Sequence, residues 1–424
     1  MIVEECVHAY SSGFTSTAKD GAYHTLGMDS EVVDSGGFHD VSTNNSRLTF
    51  SSGGIFLVFG APAWANPGGT TYGRLTKNGT SVGYEYGVSG FNALPAATGG
   101  PFLFWLEDFY SGDYMESQGW NDNGGSGSAQ TQMAALKVDE WSCMVGDTTT
   151  QTVGTFTSTV LTFANVEYDP HGMATATDRV EVQKAGYYLV LSIADGESKT
   201  EIKKNGSGSA LKGSQGGSHD GQARGSIDYA VDWFEVGDYV RVTLYGSDRS
   251  LSVGSRQLAM IYLGGPFACL SYVYSDVDRS NAENGFITGI LRMNTEWLDT
   301  GHGHPQHGFS YSPSPLYCSS CGSFNMSEGY HFGLAKLHAT TGAFVNDGLY
   351  TVLNGSQLGN IFSTTRHVDD GGTMAFVCFE AVDGNTFTAN WLASSTTTES
   401  GKTPFTNVFV TDAREGGGQI YRRL

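Results

Sequence analysis

The sequence predicts an all-β chain built as three tandem antiparallel jelly-roll sandwiches, and three observations predict it. Glycine supplies 58 of 424 residues while Asp, Glu, Lys and Arg supply only 16%; ordinary domains carry roughly half that glycine share and about 25% charged residues. Short apolar stretches are punctuated by Asn-Gly and Gly-Asp pairs, which suit tight turns between strands. The same features also recur three times in the same order along the chain. The glycines follow no three-residue period, which excludes collagen. With 39% hydrophobic and 12% aromatic residues, the chain has the means to build cores rather than stay disordered.

Each repeat opens on a Cys that leads into an apolar strand: Glu5-Cys6-Val7, Ser142-Cys143-Met144 and Ala268-Cys269-Leu270. These three cysteines read as small buried apolar residues at equivalent strand positions. A strand entered through glycine follows, beginning at Gly54, Gly186 and Gly329. Next comes an Asn-Gly pair after a short strand, at Asn78-Gly79, Asn205-Gly206 and Asn354-Gly355. Both central residues of a type I′ hairpin turn need positive φ, which Asn and Gly adopt most readily. The fourth feature is the most specific. Asp108-Phe109-Tyr110-Ser111-Gly112-Asp113-Tyr114 parallels Asp232-Trp233-Phe234-Glu235-Val236-Gly237-Asp238-Tyr239, with a degenerate third copy ending in Gly384-Asn385. Closing strands begin at Gln132, Gln257 and Asn407. The repeats therefore divide the chain at 1–139, 140–266 and 267–424.

The second repeat resembles the C1q/TNF-like jelly-roll family. Phe163, Asp169, Val180, Gly186 and Tyr188 stand at the family's signature spacing, with Met173 one residue early and Val190 in place of the usual Phe. The first repeat keeps Leu48, Gly54 and Phe56 after a diverged opening; the third keeps little beyond Gly329 and Asn354-Gly355. The resemblance implies ten-stranded sandwiches that associate as tight trimers. Between Val138 and Glu140 the linker spans only ~10 Å, so consecutive copies must touch. An intramolecular pseudo-trimer is the expected arrangement, with a row of separately docked domains as the alternative.

Charge narrows the partners. The formal net charge is −20, and every repeat is acidic, with 5 basic against 14 acidic residues, 10 against 15, and 8 against 14. Phosphate backbones call for clustered Lys and Arg, so nucleic acid and anionic membrane are not expected partners. The N-terminal Met1-Ile2-Val3-Glu4-Glu5 lacks the positive, then apolar, pattern of a secretory signal. No apolar run approaches a membrane span. Five Asn-x-Ser/Thr sequons occur, at Asn44, Asn78, Asn205, Asn325 and Asn354, three of them in Asn-Gly turns.

Catalytic motifs are missing: no Gly-x-Ser-x-Gly elbow and no His-Glu-x-x-His occur, and no cofactor is expected. The candidate metal ligands are His302, His304 and His307 with Cys318 and Cys321, because imidazole and thiolate suit zinc. They lack the four-ligand spacing of a structural site. Asp276, Asp278, Asp369 and Asp370 offer hard oxygen ligands without a calcium-loop pattern. Trp120 and Trp297, near loops, could stack on sugars. The expectation is a non-enzymatic virion structural protein on the outer surface of the particle, a bacteriophage capsid decoration, cement or head-accessory protein. Its partners would be the major capsid protein or other virion proteins. The alternative is a C1q-like module that binds a carbohydrate, such as a host-surface glycan, or a receptor. Residues 301–323 and the segment before Gly36-Gly37 are the candidate contact regions.

Overall fold

The computed structural model describes residues 3–65, 70–89, 98–99, 101–122, 124–154, 157–195, 198–206, 210–211, 215–217, 225–246, 249–251, 254–265, 270–274, 279–281, 285–290, 295–299, 317–318, 323–339, 345–366, 371–395, 399–401 and 407–411. All regular structure among them is β.

Three five-stranded antiparallel sheets share one strand order. The first runs Leu103–Phe109, Gly54–Gly60, Gln132–Lys137, Cys6–Tyr10, Ser30–Asp34. The second runs Gly225–Phe234, Gly186–Asp195, Arg256–Gly264, Cys143–Gly146, Asn165–Tyr168. The third runs Gly371–Ala381, Gly329–Ala339, Asn407–Thr411, Leu270–Tyr274, Thr295–Asp299. In each, the Cys-led strand and the strand entered through glycine flank the closing strand. A second sheet backs each of them, completing a jelly-roll sandwich. The first is backed by Tyr23–Thr25, Tyr114–Asn121, Thr70–Lys77 and Thr80–Ser89, and the second by Ser158–Val160, Tyr239–Gly246, Ser198–Lys204 and Gln215–Gly217.

The third backing sheet is not separate. Its strands, among them Val345–Leu353 and Ser356–Arg366, belong to a ten-stranded sheet that also holds Thr15–Ala18, Ser126–Gln130 and Ala63–Ala65 of the first sandwich. The join is the short strand Thr98–Gly99, which pairs in parallel with Ser356–Arg366 through Thr98↔Phe362. Two residues donating to an open sheet edge are too short to carry a periodic signal, so the sequence does not announce this bridge.

The turns form as the repeat predicts. Asn78, Asn205 and Asn354 have φ of 51°, 53° and 48°, and each following glycine is also positive. Gly112, Gly237 and Gly384 sit at 94°, 90° and 87°. The two turn types lock together side by side. Asn78 Nδ2 donates to Asp113 Oδ1 (2.7 Å) while Tyr114 N donates to Asn78 Oδ1 (2.9 Å). Asn205, Asp238 and Tyr239 repeat this at 2.6 and 2.9 Å, and Thr386 N donates to Asn354 Oδ1 at 2.8 Å. Lys77 and Lys204 add ion pairs to Asp113 and Asp238 and lie over Phe109 and Phe234. In the third sandwich Leu353, Asn385 and Ala381 stand at these three places. The lysine, its counter-ion and its ring are replaced together, so no charge is stranded.

The first sandwich is less diverged than its sequence suggests. Asp34 accepts from Phe38 N and His39 N, both at 2.9 Å, as Asp169 accepts from Met173 N and Ala174 N at 2.8 Å. Gly37 (φ 65°) and Gly172 (φ 69°) turn the chain alike.

Packing explains why the three sandwiches hold together. Along Gly186–Asp195, Tyr188, Val190 and Ala194 fill the second sandwich's own core. Tyr187, Leu189, Leu191 and Ile193 point the other way, into a cluster shared with the other two sandwiches. The third sandwich alternates likewise: Val377 and Phe379 face its own core, Phe376 and Cys378 the shared one. Successive strand residues face opposite sides, so these sheets are apolar on both faces. The shared core contains stacked rings, Phe59 on Phe332 at 5.3 Å and on Phe376 at 5.2 Å, with Phe102 edge-on to Phe376 at 5.5 Å. Tyr229 meets Tyr272 and donates to Leu334 O at 3.1 Å.

Truncating Phe376 to Ala should therefore cost about 3–5 kcal/mol, as buried Phe→Ala changes do. It should also lower the stability of all three sandwiches together in urea unfolding followed by tryptophan fluorescence and circular dichroism. Loss confined to the third sandwich would contradict the shared core.

Candidate functional site

Two regions have the chemistry to do more than fill space: the seams where the sandwiches meet and the end where the paired turns cluster.

At the seam between the first and third sandwiches, His8 is fully buried. Its Nε2 lies 3.3 Å from Gln132 Oε1, and its ring packs 5.7 Å from that of Phe376. Gly359 approaches so closely that a Cβ there would stand 2.8 Å from the imidazole. At the seam between the second and third sandwiches, Lys336 Nζ donates to Asp228 Oδ1 at 2.6 Å, with both side chains fully enclosed. Neither partner was singled out in the sequence. The available signal was a lone charge inside an apolar strand, as in Leu334-Ala335-Lys336-Leu337 and Ile227-Asp228-Tyr229.

Burial sets the electrostatics. Loss of water holds the His8 imidazole down at about 4, its bond to Gln132 only partly compensating. Loss of water pushes the Asp228 carboxyl up to about 6 against the pull of Lys336, and pushes the Lys336 ammonium down. Such a pair contributes little net stability but is costly to break one partner at a time.

The seams also orient the sandwiches. His8 of the first meets Phe376 of the third, and Tyr229 of the second meets Leu334 of the third. Each member lies at a similar depth below its own turn, so the Gly-Asp turns gather at one end. There Tyr110, Val236 and Val382 are 71%, 62% and 58% exposed, three of the seven exposed large apolar side chains among the described residues. Turn positions ordinarily take Gly, Asn, Asp or Ser. The turn geometry needs the glycine and the acid or amide beside these tips and leaves the tips unconstrained. Asp108, Glu235, Glu380 and Asp383 are exposed around them.

The candidate metal ligands are not brought together by any described geometry. His302, His304, His307 and Cys321 lie outside the described residues, as do Cys269, Asp276, Asp278, Asp369 and Asp370. Cys318 lies on the strand Tyr317–Cys318, opposite Ser323. Among the described residues no group of three or more His, Cys, Asp or Glu could hold a metal ion. Trp120 stands one residue from the end of the strand Tyr114–Asn121, beside a loop as expected, half-buried and edge-on to Tyr72 at 5.0 Å. Trp297 lies on the strand Thr295–Asp299. Cys6 and Cys143 are fully buried, as their positions predict.

No protein-family profile matches the chain, and no curated protein matches it. Among solved structures, the globular domain of zebrafish complement 1qA protein matches over 32% of this chain and 98% of its own length, at 8% identity and a TM-score of 0.26. The Eiger TNF of S. frugiperda matches over 32% and 92%, at 11% identity and a TM-score of 0.23.

The seam groups have opposing pH consequences. Between pH 6.5 and about 4 the unfolded chain takes up a proton that native His8 refuses, so acid destabilises the fold through this residue. Asp228 works the other way, because its native carboxyl binds a proton at about 6, before the unfolded one does. Replacing His8 with Gln should remove a loss of up to about 3 kcal/mol on going from pH 7 to pH 4. Urea midpoints of variant and parent that shift in parallel with pH would contradict the assignment.

Proposed function

We propose that the chain is a non-enzymatic structural protein of a virus particle, a decoration, cement or head-accessory protein on the outer surface of a bacteriophage capsid. In this reading the copies are 1–139, 140–266 and 267–424, and they form an intramolecular pseudo-trimer that binds the major capsid protein or another virion protein. The observation that carries it is the set of equivalent turns that expose Tyr110, Val236 and Val382 at one end of a body with a common core. Capsid shells offer threefold-related sites, and three apolar tips at one end suit such a platform. The exposed Asp108, Glu235, Glu380 and Asp383 favour a basic partner surface, since complementary charge steers and registers an interface. A lasting contact would bury ~1,000 Å² or more.

Purified particles should contain the chain at a fixed ratio to the shell protein by quantitative mass spectrometry. A triple variant, Tyr110→Ser with Val236→Ser and Val382→Ser, should keep its circular dichroism spectrum and bind particles more than about tenfold less tightly, as loss of buried anchors does. Absence from particles, together with glycan binding by the dispersed chain, would overturn the virion reading in favour of a carbohydrate-binding module.

A further inference from the structure

Two of the three seams are spanned by the polypeptide itself. The chain passes from the first sandwich to the second between Lys137 and Cys143, and from the second to the third between Gly264 and Leu270. Nothing covalent joins the third sandwich back to the first. At that seam Cys6 and Cys378 both lie in the shared core, each two residues along its strand from His8 and Phe376, whose rings pack at 5.7 Å, and both thiols are unbonded and fully enclosed. Gln132 and Gly359 close in on His8 from the same two sandwiches, so this stretch of the seam is tightly packed.

Register shows that this placement is not a by-product of the repeat. Cys6 corresponds to Cys143 and Cys269, which each repeat carries. Cys378, however, faces Phe332 where Leu106 faces Leu57 and Val231 faces Leu189. The counterparts of Cys378 are thus Leu106 and Val231. Of these three matched positions only the third copy's is a cysteine, and it lies on the seam that no linker spans.

We propose that Cys6 and Cys378 form a disulfide that covalently closes the ring of three sandwiches. A small-molecule disulfide is the oxidant. One cysteine thiolate attacks it, forming a mixed disulfide and releasing one thiol. The second cysteine thiolate then displaces the other half, so that two protein S–H bonds are exchanged for one S–S bond and two small thiols carry away the electrons and protons. Burial pushes the Cys378 thiol up, which suppresses the reactive thiolate once the seam has closed. The bond therefore forms as the third sandwich docks on the first during folding, and in the folded protein it is shielded from reductant.

The full-length protein is refolded from urea in oxidised and reduced glutathione, and in parallel with excess reductant. Free thiols are then alkylated in denaturant, and the unreduced digest is analysed by mass spectrometry. The oxidised sample should yield the Cys6 and Cys378 peptides joined, lighter by two hydrogen atoms than their sum, with Cys143 alkylated in both samples. Its urea midpoint should exceed that of Cys378→Val, a variant that restores the valine found in the second copy, and reductant should abolish the difference. Full alkylation of Cys6 and Cys378 after oxidative refolding would overturn the proposal. So would their linkage to Cys318 or Cys321 instead of to each other.

Discussion

A β-sheet with apolar side chains on both faces must be covered twice, and this requirement governs the molecule. In each inner sheet one face is covered by the backing sheet of the same sandwich. The other carries Leu57 and Phe59, or Leu189 and Leu191, or Phe332 and Leu334, and all of these lie in one cluster. Exposing such a face to water would cost each large side chain about 1.5–3 kcal/mol. No sandwich can meet that cost alone, so the three are obliged to pack. Short connections keep their effective concentration high.

Because the three sandwiches belong to one chain, their seams need not repeat one another. A homotrimer repeats every contact three times, whereas here each seam has its own chemistry. The seam between the second and third sandwiches holds the Lys336–Asp228 pair, and the seam between the third and first holds His8 and the two cysteines. Buried polar groups of this kind add little net stability. They make a misplaced copy expensive, because a charge or an imidazole would then face an apolar wall. The same freedom appears in the turns, where Lys77, Phe109 and Asp113 of the first copy become Leu353, Ala381 and Asn385 of the third.

Much of the fold could be read from the residues because turns have strict chemistry. Asn-Gly and Gly-Asp pairs at matching places disclosed hairpins that the φ angles reproduce. Less was legible where geometry, not residue type, carries the information. Asp34 and Gly37 repeat the roles of Asp169 and Gly172, yet the residues between and after them differ, so the first opening segment reads as diverged. The two-residue bridge at Thr98–Gly99 has no periodicity to detect. At the seams the sign lay in mostly apolar runs such as Gly54-Ile55-Phe56-Leu57-Val58 and Gly186-Tyr187-Tyr188-Leu189-Val190, since a strand with one wet face would alternate. A lone charge such as Lys336 or Asp228 carries no mark in the sequence that tells a buried pair from two surface residues. The exposed tips were hidden for a related reason: an apolar residue in a turn looks like noise unless all three turns are compared.

The shared core is tested most directly by native-state amide hydrogen exchange of the full chain. Slowly exchanging amides in Gly54–Gly60, Gly186–Asp195 and Gly329–Ala339 should open in one cooperative unit, with a common free energy and a common dependence on denaturant. Three distinct free energies, one for each sandwich, would contradict the account.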